Sequence, residues 1–485
     1  MDRQELTKQL EQYIEEHRDV IVEDLKTLVR IPSVSEEGTK EKPFGEACAK
    51  VLDCALTMAQ ERGFAVNNHE NWYGTAFYES RKPDEGLIGI FSHLDVVEAG
   101  EDWIYDPFEP TEKNGFLIGR GAGDNKSGAV IGLYTMQAIK DLNIPLKSNI
   151  MLYFGCNEEK GMKDAERFAK EHIMPDYSMV PDLFFPVCYG EKGSLKLTLQ
   201  PRTGFHQITE WKAGKADNMI PAHATAVISS EPNLAAEAKK LAEGRADIEV
   251  TEQDDKLVIT SNGVGGHSAI PKDAVDGIWI LSDFLKNLES LDASDREICA
   301  VYADLTGDFA GEAMGISWSD EPSGKLVCSA VRAWMDGSIP EVMFSIRYPV
   351  TDYRERIEAE LLKVITPRNF AVKAAVNSDP MYVSKDDPYV QTLMRVYREV
   401  TGKANEPYVI DGGTYARKLN HAVGYGGGNG ISADFLPAGH GRVHQPDEAR
   451  SIDGILEAIK IYVISVMEID ELIQAERREK ERKEE

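Results

Sequence analysis

Two histidines and five acids stand in this sequence where apolar runs end or glycine turns begin. "FSHLDVV" supplies His93 and Asp95, "GAGDNKSG" Asp124, "IMLYFGCNEEKG" Glu158 and Glu159, "VPDLFFPVCYGEKG" Asp182, and "GRVHQPDEAR" His444. Imidazole nitrogens and carboxylate oxygens are the donors that borderline divalent ions such as zinc and manganese accept. Two imidazoles with three carboxylates, plus a spare acid, match the ligand count of a two-metal site. In such sites ions about 3.5–4 Å apart share a bridging carboxylate and a water activated for attack on a carbonyl. Taken singly, each residue has a plainer reading: a strand-end histidine is usually structural, and an aspartate in a glycine turn usually forms the turn or caps a helix. The joint pattern is far more specific than its parts.

Spacing adds detail. His93 and Asp95 are two apart on an extended segment and so share a face, which lets Asp95 lie near the ring without binding the same ion. Glu158 and Glu159 are adjacent and would point to opposite faces of a strand. A break into a loop removes that alternation, so Glu159 can face a metal while Glu158 faces its water.

The elements that must position these residues are legible as periodicities. "VIVEDLKTLVRIP" reads as a helix stopped by Pro32, and Phe44 to about Arg62 as a second helix stopped at Gly63. "GLIGIFSHLDVV" is a buried strand breaking into a loop. "GRGAGDNKSG" is a turn before the buried helix "AVIGLYTMQAIKDL", and strand and helix then alternate again around the glutamate pair. Such alternation implies an α/β layer with parallel neighbours. After Gly193 the texture changes to half-exposed antiparallel strands ("SLKLTLQ", "KLVITSNG", "EVMFSIRYPV") with two helical stretches, near Ala235–Glu243 and Gly277–Leu288. From about Asp386 the α/β texture returns, and "AERREKERKEE" reads as a solvated helical or frayed tail. The expected architecture is a discontinuous α/β catalytic domain (residues 1–193 and 381–485, a mixed sheet flanked by helices) with an α+β domain inserted at 194–380.

Composition bounds the rest. A chain of 485 residues with 42% hydrophobic content is long enough for two or three cored domains. Its net charge of −28 argues against nucleic acid and anionic membrane as partners. Six cysteines without a Cys-x-x-Cys pair suggest reduced, structural thiols, Cys156 and Cys188 included, and a cytoplasmic location. No apolar run approaches the ~20 residues needed to span a bilayer, and the charged N-terminus resembles no signal peptide.

The motifs "SHLDVV", "GRGAGDNKSG", "NEEKG", "PDLFFPVCYGEKG", "GGHSAIP", "GGTYAR" and "HQPDEA" occur in an order that resembles the aminoacylase/carboxypeptidase/carnosinase group of di-metal peptidases. Within it, the chain looks most like bacterial dipeptidases that cleave Xaa-His and β-alanyl dipeptides. The segment "ADLTGDFAGEAMGISWSDEPSGKL" resembles the enlarged lid of that branch, and the likeness covers nearly the whole chain. It implies a di-zinc-peptidase-type fold and two divalent ions, zinc first and manganese second. His93 and Asp182 would hold one ion, Glu159 and His444 the other, and Asp124 would bridge them. Asp95 would orient His93, and Glu158 would be the general base. His267 of "GGHSAIP", in a flexible polar context, would stabilise the oxyanion. Arg347 and Asn218 would grip the substrate's terminal carboxylate, while Gly412 and Gly413 of "DGGTYARK" would help line the site. His440 would be structural or incidental. Two departures stand out: Asn125 follows the bridging aspartate where an acid is usual, and Asn157 precedes the glutamate pair where an aspartate is common. Neither removes a ligand, but both bear on the metal.

The leading expectation is therefore a metal-dependent dipeptidase that attacks a dipeptide's amide carbonyl with an activated water, working as a monomer. An N-acyl amino acid deacylase or desuccinylase on the same scaffold is the alternative. A binding or regulatory protein without turnover would require loss of a ligand, and all five are present.

Overall fold

The structure, a computed structural model, describes residues 3–80, 86–229, 231–253, 255–428 and 430–484. Met1, Asp2 and Glu485 of the charged termini lie outside the described residues. The chain divides into two compact units. One comprises Met1–Tyr189, Val383–Val409 and Gly413–Glu485; the other comprises Gly190–Tyr382 with a short return at Ile410–Gly412. The expected mixed α/β class is what the chain forms.

In the first unit the strands Leu87–His93, Asn149–Gly155, Tyr177–Val180 and Ala422–Tyr425 run parallel to one another. Ile88, Ile90 and Phe91 are all fully buried. A strand covered on both faces shows this continuous apolar run rather than alternation. Antiparallel strands Ala65–His69 and Tyr73–Tyr78 extend one side through Asn149–Gly155, so the sheet is mixed. Helix Lys126–Asp141 packs on the strands Leu87–His93 and Asn149–Gly155 and against the C-terminal helix Ile452–Glu484. Close approach is possible because Gly132 lacks a side chain: a Cβ there would meet Leu152 at 2.5 Å and Ile90 at 3.1 Å. The N-terminal helix is longer than its apolar signal, running Arg3–Val29, and the charged C-terminal run continues its helix.

The second unit is built on an eight-stranded antiparallel sheet, in the spatial order Ile248–Gln253, Lys256–Asn262, His223–Ser229, Ile208–Ala213, Val327–Asp336, Ile339–Tyr348, Gly193–Pro201, Phe370–Ser378. Leu195, Leu197 and Leu199 alternate inward beside Val342, Phe344 and Ile346 and form its core with Trp211 and Phe284. Two helices expected here become four among the described residues: Pro232–Ala242, Gly277–Leu285, Ala293–Leu305 and Arg354–Ile365. The additional pair were hidden by charge. Ala293–Leu305 reads "ASDREICAVYADL", and Arg354–Ile365 buries only Ile357, Leu361 and Ile365, a narrow stripe.

Candidate active site

Three parallel strands of the first unit end side by side, and each delivers acids or a histidine from its carboxyl end. His93 closes the first strand and is register partner to Gly155, which closes the second. The chain then turns at residues 156–161, outside any strand, carrying Glu158 and Glu159. The third strand ends at Val180, two residues before Asp182. Ligand sites in open α/β sheets form at this edge. Asp124 comes from the glycine turn ahead of helix Lys126–Asp141, and its bond to Asn125 is cis. His444 comes from the irregular segment before Ala449, in a left-handed conformation with φ 64°.

These side chains meet. His93 Nε2 lies 2.9 Å from Asp124 Oδ1 and 3.6 Å from Asp182 Oδ2. His444 Nε2 lies 3.0 Å from Asp124 Oδ2 and 3.2 Å from Glu159 Oε1. The two oxygens of Asp124 therefore face two different imidazoles, each joined by one further acid. Glu158, His93 and Asp182 also bring donor atoms within 4.8 Å of one another. His93 is buried, whereas His444 is 53% exposed.

The supports of this cluster are buried carboxylates that each receive a pair of backbone N–H groups. Asp95, fully buried, takes the N–H of Glu158 and of Glu159, both at 3.1 Å. Asp164 takes those of Cys156 (2.7 Å) and Asn157 (3.0 Å) and the Tyr415 hydroxyl at 2.5 Å. Four consecutive N–H groups of the acidic turn are thus held by two carboxylates. Helix-like donors with no intrahelical partner are satisfied here as a cap would satisfy them. Glu448 takes the N–H groups of Gly123 (2.8 Å) and Asp124 (3.0 Å). Sequence reading did not single out Asp164, Tyr415 or Glu448. Two of them lay in motifs already noted, Tyr415 in "GGTYAR" and Glu448 as the acid closing "HQPDE".

Asn125, the first departure noted in the sequence, donates its amide to Pro181 O at 2.9 Å and to the Asp182 carboxylate. An acid there would face Asp182 as a like charge, so asparagine serves as the donor. Asn157 donates to Ser35 Oγ (3.0 Å) and accepts from Lys163 N (3.2 Å), fixing the turn before the glutamates. His440 bonds Asp447, which in turn receives the N–H groups of Ile104 and Tyr105, a structural arrangement. The six cysteines are free thiols.

Electrostatics identify what the cluster needs. With five carboxylates ionised and both imidazoles neutral, as metal ligation requires, the cluster would carry −5, an expensive arrangement without cations. Burial pushes Asp182 up to about 6, helped by the charge of Asp124 and opposed by His93. Burial also drives Glu158 well above the usual carboxylate range; His93 opposes the shift, while Asp182, Glu159 and Asp124 add to it. Hydrogen bonds to Asp124 and Glu159 push His444 up to about 11. Two divalent ions would bring −5 to −1. The spacing fits as well: bonds of about 2.0–2.1 Å at tetrahedral angles put neighbouring donor atoms about 3.3 Å apart. The four imidazole–carboxylate contacts of His93 and His444, from 2.9 to 3.6 Å, bracket that value.

In the second unit Asn218, His267 and Arg347 are tied together by one strand ladder and the buried serines Ser268 and Ser345. Met219 and His267 are register partners in a two-stranded ladder, and Asn218 O accepts from Ser268 N at 2.9 Å. Ser268 Oγ bonds Ser345 Oγ at 3.2 Å, and Ser345 lies two residues from Arg347 on the strand Ile339–Tyr348, hence on the same face. His267 Nδ1 accepts the Ala269 N–H at 3.3 Å, which leaves Nε2 as the ring nitrogen able to donate. Gly412 falls in the second unit and Gly413 in the first. A Cβ at Gly413 would collide with the Arg417 guanidinium.

A Bacillus subtilis (strain 168) protein named "Putative dipeptidase YtjP" is 29% identical over 466 residues, covering 93% of this chain and 97% of that protein. The fold is shared with human carnosine dipeptidase 1 (19% identity, 96% and 99% of the two chains, TM-score 0.54). It is also shared with the aminoacylhistidine dipeptidase of Vibrio alginolyticus (14% identity, 92% and 96% of the chains, TM-score 0.55). Residues 89–468 match the family model described as peptidase family M20/M25/M40, and the chain belongs to that peptidase family.

Proposed function

We propose that this peptidase is a metal-dependent dipeptidase. The observation that carries the reading is the division of Asp124: one carboxylate oxygen faces His93, the other His444, with Asp182 and Glu159 completing the two sides. His93 and Asp182 would hold one divalent ion, Glu159 and His444 a second, and Asp124 both. The mixed nitrogen and oxygen donors suit zinc first, with manganese second. Bound there, the ions would polarise the substrate carbonyl and acidify the attacking water.

The remaining work falls to side chains of the chain itself. Glu158 is the acid of the cluster assigned no ion. Its carboxylate takes a proton from the attacking water and passes it to the leaving amine. Asp95 fixes the turn that aims Glu158 and Glu159. In the inserted unit, which we assign as substrate-binding lid (residues 194–380), His267 donates from Nε2 to the oxyanion. Arg347 and Asn218 take the terminal carboxylate, with Gly412 and Gly413 beside the substrate. A carboxylate grip one residue beyond the scissile bond favours dipeptides over longer peptides. Among the described residues no helix is long and apolar enough to cross a membrane. We assign a monomer acting on small peptides in the cytoplasm, without nucleic acid or membrane partners.

The test is turnover of Ala-His, β-alanyl-His and N-acetyl amino acids after chelation and re-addition of zinc or manganese. Dipeptide cleavage restored by metal is expected. Cleavage of the N-acetyl compounds alone would make the enzyme a deacylase, and full activity after chelation would remove the metal reading.

A further inference from the structure

Glu448 lies on the segment that carries His444, four residues later, yet its side chain reaches the turn that carries Asp124. It is 1% exposed. Its Oε1 accepts the N–H groups of Gly123 and Asp124, and its Oε2 accepts from Arg120 Nη1 at 2.6 Å. Arg120, equally buried, sends its other amine to Ala99 O at 3.1 Å and lies over the Trp103 ring at 5.1 Å. The opposite side of the same peptide is also held, since Arg450 Nη2 donates to Gly123 O. Backbone bonds run alongside: Gly119 N donates to Glu448 O at 2.8 Å, and Ala449 pairs with Ile118.

We propose that Glu448, neutralised by Arg120, is a positioning residue that sets where the Asp124 carboxylate stands between His93 and His444, and so sets affinity for the metal pair. This inference rests on the metal-centre reading above. Arg120 cancels the charge of Glu448, so its contribution to the site is geometric. A buried carboxylate is costly to desolvate. The strand pairing beside it already joins the two segments, but only the carboxylate fixes both N–H groups of the Gly123–Asp124 turn. Asp124 must present two oxygens in two directions, which makes it the ligand most sensitive to a rotation of its own backbone. Supports of this kind typically change metal affinity by about 10–100-fold when lost.

The experiment is titration of wild type, Glu448→Gln and Glu448→Asp with Mn2+ alone, with free ion followed by electron paramagnetic resonance and folding by circular dichroism. Gln keeps one acceptor but turns an NH2 toward Arg120. Asp keeps the charge but shortens the reach. At least a tenfold weakening of the weaker Mn2+ in both folded variants is expected, together with activity recovered by excess Mn2+. Binding within twofold of wild type in either folded variant overturns the proposal. Loss of fold in both also overturns it, since Glu448 would then serve stability instead of position. Failure of wild type itself to bind two Mn2+ would overturn the metal-centre reading beneath it, a result the variants cannot mimic.

Discussion

Asp95 turns its backbone carbonyl, not its carboxylate, most closely to His93: Nδ1 is 2.9 Å from Asp95 O and 3.5 Å from Oδ1. The carbonyl fixes the tautomer that leaves Nε2 free to act as a ligand. The carboxylate is thereby released to receive the N–H groups of Glu158 and Glu159. One residue thus sets both the imidazole and the glutamate turn. In Asp95→Asn the backbone carbonyl survives, but one oxygen becomes an NH2 facing an N–H group. Metal affinity and kcat should both fall, each by about 10–100-fold. Parallel measurements of Mn2+ binding and dipeptide turnover check this; a variant with unaltered kcat would show that the carboxylate does not aim the turn.

Glu158 and Glu159 separate in role by their neighbours. Glu159 lies 3.2 Å from His444 Nε2, whereas Glu158 groups with His93 and Asp182. Replacing Glu158 by Gln keeps shape and removes the proposed base. The expected result is a 10²–10⁴-fold drop in kcat with two ions still bound, measured by elemental analysis beside turnover. Full turnover in the variant would assign the proton transfer elsewhere.

Much of this arrangement was legible because buried parallel strands announce themselves as apolar runs, and acids at their ends are out of place. His93, Glu158, Glu159 and Asp182 could be picked out on that ground, Asp124 by its glycine turn and His444 by the motif "HQPDEA". Asp164 could not. It opens a helix, where an acid is ordinary; its bonds to Cys156 and Asn157 reach back over a turn that no local pattern announces, and its bond to Tyr415 closes across 251 positions of sequence. Arg120 and Arg450 were equally silent, since nothing local reveals that a charge will be buried. The helices Ala293–Leu305 and Arg354–Ile365 were missed for a related reason: the first opens on the charged run "SDRE", and the second buries only Ile357, Leu361 and Ile365 among charged residues.

Arg347 sits on the strand Ile339–Tyr348 with its Nε buried, on the face that carries Ser345 and, through Ser268, the His267 ladder. A planar guanidinium there can take a carboxylate through two hydrogen bonds, which an ammonium cannot reproduce. Arg347→Ala should raise KM for dipeptides at least tenfold and lower kcat, and Arg347→Lys should recover only part of the loss. Steady-state kinetics decide the matter, and an unchanged kcat/KM in the alanine variant would end the gripping role.

Stability of the second unit should depend on pH through Asp276. This residue caps the helix Gly277–Leu285, with its carboxylate accepting the Ile278 N–H at 2.8 Å, while Oδ2 is buried without a hydrogen bond. Burial pushes its carboxyl up to about 8, against the pull of the Ile278 and Trp279 N–H groups. The unfolded chain releases the same proton near pH 4. Between those values the folded state binds more protons than the unfolded one. The stabilisation is therefore full below about pH 4 and is lost as pH rises through about 8, with a slope of at most about 1.4 kcal/mol per pH unit. Asp276→Asn keeps the capping oxygen and removes the titration, so its stability should vary less between pH 5 and 8. Urea midpoints read by tryptophan fluorescence are suited to this, since Trp211, Trp279, Trp318 and Trp334 all lie in that unit. Equal pH slopes for wild type and variant would show that Asp276 is ionised throughout, and that its unpartnered oxygen is reached by water.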